Sequence, residues 1–107
     1  MNFNIGRYEH LLKTRYKAKI SEILLKNGRK LTPEAILQLE TQLAQTLKGI
    51  LEECGCPNEN PTVEFIRDFS LLTMKTDYII EMRVFGEVKR IHLKRLRKKE
   101  DNDLRLL

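Results

Sequence analysis

Cys54 and Cys56 stand one residue apart in the stretch Cys54-Gly55-Cys56-Pro57, and their thiols are the first chemistry the chain offers. A structural zinc site needs four ligands. Only His10 and His92 remain as further soft donors, and both are remote in sequence. A bridge between the two cysteines would close a strained loop, because bridged Cα atoms usually lie about 5.5–6 Å apart. They read instead as reduced thiols. Cys54 continues a helical stripe from Ile50 and Leu51 as a small core residue, and Cys56 is a loop thiol. Glu64 and Asp68 resemble a carboxylate pair, but four strand residues span about 13 Å, too far for two-carboxylate glycoside cleavage. No phosphate-binding glycine loop, dinucleotide fingerprint or nucleophile elbow occurs. The expectation is a protein that is not an enzyme, with no catalytic residues, metal or cofactor.

Cations carry the stronger signal. Phe85-Gly86-Glu87-Val88 reads as a tight hairpin with Gly86 and Glu87 in the loop, the glycine-first pattern of a type II′ turn. Phe85 would then oppose Val88, Met82 would face Ile91 and Ile80 would face Leu93. That side, shared with Tyr78 and Val84, is expected to pack on helices. On the other side the same register sets Arg83 against Arg90, Glu81 against His92 and Ile79 against Lys94. Like charges directly opposite are destabilising unless water or an anion separates them. Arg83, Arg90, His92 and Lys94 therefore mark either a solvated charged face or a surface for phosphate or carboxylate. The run continues through Arg95, Arg97 and Lys98, with Lys13 and Lys17 in support. Dense Lys and Arg suit a phosphate backbone, because neutralising phosphates releases counterions. The chain has no Trp. Phe85 is the one aromatic expected on the basic face, so backbone or shape recognition fits better than base stacking.

Charge is laid out unevenly. The net charge is +5. Residues 1–30 hold eight basic and two acidic side chains, residues 31–82 three and nine, and residues 83–107 nine and four. Basic ends around an acidic centre either fold against that centre or present separate fields to separate partners.

The elements that must position these cations follow from periodicity. The chain has 107 residues, 41% apolar and 33% charged, which suits one folded domain over residues 1–107. Ile5, Tyr8, Leu12, Tyr16, Ile20 and Ile23 line one face of a helix over about 4–27, with Asn4 as cap and Gly28 as left-handed exit. Thr32-Pro33-Glu34 opens a second helix over about 32–54, striped by Ile36, Leu39, Leu43, Leu47, Ile50 and Leu51. After Pro61 the period becomes two, predicting strands over about 62–73, 78–85 and 88–96 with a turn at Lys75-Thr76-Asp77. The tail from Lys98 to Leu107 reads as a frayed end or a short third helix.

The expected fold is α+β: an N-terminal antiparallel helix hairpin packed on one face of a three-stranded antiparallel β-meander. The expected function is a small binding module associated with nucleic acid or ribonucleoprotein through the basic hairpin face and basic C-terminal strand. The alternative is a protein–protein adaptor, or a structural subunit that binds another protein or a second copy of itself. No apolar run approaches a membrane span, and Met1 to Gly6 does not open like a signal peptide, so the expected location is the cytoplasm, with no membrane partner.

Overall fold

A computed structural model describes residues 3–95 and 104–106. The first helical rod is made of α1 (Ile5–Leu11), a π-helical turn (Leu12–Tyr16) and α2 (Lys17–Lys26). Asn4 caps it, its side chain accepting from Arg7 N at 3.0 Å. At its end Gly28 takes φ +64°, and Arg29 N returns to Leu24 O at 2.7 Å. The long helix α3 (Pro33–Glu53) opens on Thr32, whose Oγ1 accepts from Ala35 N at 3.1 Å, with Pro33 in the first turn.

The π-helical turn has a cause in the sequence. Tyr8, Leu12, Tyr16 and Ile20 are each four residues apart, and in a 3.6-residue helix each such step drifts about 40° around the axis. The wider π turn takes up that drift, and all four side chains stay in the core. Tyr16 is fully buried there, and its hydroxyl has no hydrogen-bond partner among the described residues. Burial pushes its phenol well above the ordinary range, with the nearby Tyr8 adding to the effect. Tyr16→Phe keeps the ring and removes the unsatisfied hydroxyl, so it should leave stability unchanged or raise it by up to about 1 kcal/mol. A lowered urea midpoint would show instead that the hydroxyl is satisfied.

The sheet is antiparallel and four-stranded, in the order β1 (Thr62–Ser70), β2 (Lys75–Val84), β3 (Glu87–Arg95) and β4 (Leu104–Leu106). Helices cover one face. Leu39, Leu43 and Leu47 of α3 pack with Ile80, Met82, Val84 and Leu93 of the sheet, as the alternation of β2 and β3 required. Cys54 closes this core at the end of α3. Glu40 of α3 also reaches the outer edge of β1, its Oε2 accepting from Phe65 N at 3.0 Å. No helix among the described residues is long and apolar enough to cross a membrane.

Four expectations need correction. Leu104–Leu106 form a strand, where a frayed end or a short third helix was expected: β4 pairs Leu106 with Leu93 and Leu104 with Arg95, so the sheet has four strands among the described residues. β1 ends at Ser70, not residue 73, and the turn is Leu71–Met74, not Lys75–Asp77. The β2–β3 loop is Phe85-Gly86, not Gly86-Glu87. Both loop residues have positive φ, +56° and +74°, as a type I′ turn requires.

The last correction follows from that turn. The register moves by two residues: Arg83 pairs with Val88, Glu81 with Arg90, Met82 with Lys89, Ile80 with Ile91 and Ile79 with His92. A two-residue slip keeps every side chain on its face, so hydrophobic alternation cannot detect it. What favours the observed register is specific. An opposite-charge pair, Glu81–Arg90, replaces the like pair Arg83–Arg90. Phe85 is held in the turn by Glu59, whose Oε1 accepts from its N at 2.7 Å, and by edge contacts with Phe3 and Tyr8.

Candidate anion-binding groove

Arg83 and Arg90 do not form an open arginine pair. Between them lies Glu81, only 4% exposed although on the sheet face away from the helices. Its Oε1 lies 3.3 Å from Arg83 Nη2 and its Oε2 lies 3.1 Å from Arg90 Nε. The carboxylate occupies the position where an external anion was expected, so that part of the basic face is already compensated. His92 is exposed and set opposite Ile79, not Glu81. The backbones of Lys94 and Arg95 lie in β3, paired with Arg105 and Leu104. Arg97 and Lys98 lie outside the described residues.

Several N-terminal cations are also matched internally. Arg7 Nη2 meets Glu53 Oε1 at 3.1 Å, and Arg15 grips the same carboxylate with two nitrogens. The hydrogen bonds from Arg15 and then Arg7 hold the Glu53 carboxyl below its ordinary range. Lys19 pairs with Glu22 at 3.1 Å. Lys48 donates to the carbonyls of Pro57 and Glu59 at 2.6 and 2.7 Å, pinning the loop that leads into β1.

Lys13 and Lys17 are different. One helical step of four apart, they face the same way from the rod. They line a groove of about 450 Å³ between the rod and β3, whose other cations are Lys89 and Arg90. Leu12, Met82 and Ile91 give it an apolar floor, and Glu9 is the one carboxylate that lines it among the described residues. Lys89 Nζ also stands 5.9 Å from the centroid of the Tyr8 ring, a cation–π contact that anchors one end of the row. The groove thus gathers cations from both basic ends of the chain.

Three of these four cations, Lys13, Lys17 and Arg90, were among those expected from sequence. Lys89 was not. It sits at an inward position of the alternation, where a core residue is expected, and a cation there was the available signal that β3 leaves the core at this point. Glu81 was missed as a buried charge for a related reason: the face away from the helices was assumed to be wet.

Among the described residues no three His, Cys, Asp or Glu side chains come together as a metal site. Both cysteines are free thiols, Cys54 buried and Cys56 half-buried, and burial pushes the Cys54 thiol up from its ordinary pKa. No family model, curated protein or solved structure matches the chain.

Proposed function

We propose that this protein is a small non-enzymatic, cytoplasmic binding module that holds a single nucleic-acid strand by its phosphate backbone. The observation that carries this reading is the convergence of Lys13 and Lys17 with Lys89 and Arg90 on one groove. Arg90 is partly neutralised by Glu81, and Lys13, Lys17 and Lys89 against Glu9 still leave the groove net positive among the described residues. The groove is open to solvent and about 450 Å³ in volume, room for a segment of a strand to lie against its cations. Its floor is aliphatic and the nearest rings already pack on one another, so bases receive little specific readout.

Binding carried by phosphates depends steeply on salt. With three or four phosphates neutralised, log K for a labelled single strand should fall against log salt with a slope of about −2 to −3. Fluorescence anisotropy at several salt concentrations measures it. No binding at low salt, or a slope near zero, removes the reading. A second reading, a protein-binding adaptor or structural subunit, is favoured by a separate observation: the β1–β2 turn exposes large apolar side chains.

A further inference from the structure

The two ends of β2 carry complementary features. At its start, the turn Leu71–Met74 presents Leu71, Leu72 and Met74 at 81%, 98% and 71% exposure. This tip is built, since Ser70 holds it from below. Its carbonyl accepts from Met74 N at 2.8 Å, and its Oγ accepts from Thr73 N at 3.4 Å. Met74 takes φ +56° to close the turn. Three large apolar side chains held in water at one point are more than the scattered exposure usual on a soluble surface.

At the other end of β2 lies a pocket of about 160 Å³, lined chiefly by Phe3, Ile5, Tyr8, Met82, Val84 and Phe85. That is small for a metabolite, since ligand pockets usually run from about 300 Å³. It is the size of a cavity that holds a single benzene ring, roughly 150 Å³. One apolar side chain is the natural occupant. Charges agree with the shapes. Lys75 is exposed beside the tip, and the pocket carries Glu9 and Glu87 against one cation, Lys89, which leaves its described lining net negative. None of these four takes part in an ion pair among the described residues.

We infer that the tip of one copy, led by Leu72, seats in the aromatic pocket of a second copy, with Lys75 meeting the carboxylates at the pocket. Knob and hole lie about 30 Å apart along β2, so one copy cannot fill its own pocket. The contact is heterologous and repeats head to tail. It involves few side chains and falls below the roughly 1,200 Å² of a standard stable interface, so assembly is weak and driven by concentration.

Sedimentation velocity over roughly a hundredfold concentration range reads it directly. The full chain should sediment faster as concentration rises. Leu72→Glu removes the knob at a fully exposed position. Ile5→Glu charges the hole at an exposed first-turn position, where a carboxylate suits the helix end. Each variant alone should remain monomeric, and an equimolar mixture should stop at a dimer, because only one competent knob–hole pair exists. A native chain that stays monomeric throughout overturns the inference. So does an Ile5→Glu variant that associates like the native chain, which would mean that tips pair with tips. Circular dichroism spectra matching the native chain show that both variants are folded, so a mixture that forms no dimer also overturns it.

Discussion

Leu43→Ala should destabilise the protein by about 2–5 kcal/mol, a large part of the total of about 5–15 expected for a domain of this kind. Leu43 is fully buried at the middle of α3, between the equally buried Leu39 and Leu47. Around it the helix meets both the first rod and the sheet, so neighbours on two sides limit collapse into the space left behind. Leu37→Ala supplies the comparison. It makes the same chemical change in the same helix, but Leu37 is 59% exposed. Its cost should stay within about 0.5 kcal/mol. Urea unfolding with an unchanged m-value checks both. Equal effects would mean that the stripe of α3 is not the centre of the core.

Reversing the groove should nearly abolish anion binding while leaving the fold intact. Lys13→Glu with Lys89→Glu removes two of the four cations and places two carboxylates among those that remain. Both residues are exposed and enter no salt bridge among the described residues, so the stability at stake is about the 0.5–1 kcal/mol of the Lys89–Tyr8 cation–π contact. Affinity for a labelled single strand at low salt should fall by about 100-fold, with a shallower salt slope. Lys26→Glu with Lys30→Glu changes net charge by the same amount away from the groove. Its effect should be several-fold smaller, because exposed charges beyond about 10 Å are screened. If the two pairs lower affinity equally, overall charge governs the binding and the groove has no special role.

Local rules located the helices, and tertiary contacts decided what those rules left open. Asn4, Thr32, Pro33 and Gly28 each act as capping chemistry predicts, and the stripe from Leu39 to Cys54 is the stripe in the core. The π-helical turn was written in the repeated four-residue steps from Tyr8 to Ile20, but reading them requires knowing that the rod stays against the core along its length. The hairpin register was undetermined by alternation, because slips of two residues conserve faces. It rested on the conformation of Phe85, a bulky residue at positive φ held by Glu59, Phe3 and Tyr8, all distant in sequence. A strand as short as Leu104-Arg105-Leu106 shows too little alternation to be recognised without the free edge of β3 that it pairs with.

The binding residues divide in the same way. Lys13 and Lys17 were legible as cations of the first helix, in support of the basic hairpin. The arginines of the hairpin were legible as cations but not as partners of Glu81, since that pairing depends on the register. Lys89 became meaningful only once β3 was placed beside the rod. The groove therefore combines two sequence segments whose proximity is a property of the fold.

The most direct test is a heteronuclear NMR titration of the folded chain with a short single strand at low salt. Backbone amide shifts should cluster at Lys13, Lys17, Lys89 and Arg90, and fade together as salt is raised. Shifts confined to the Leu71–Met74 turn or to the outer face of α3, with the groove amides unmoved, would contradict the account.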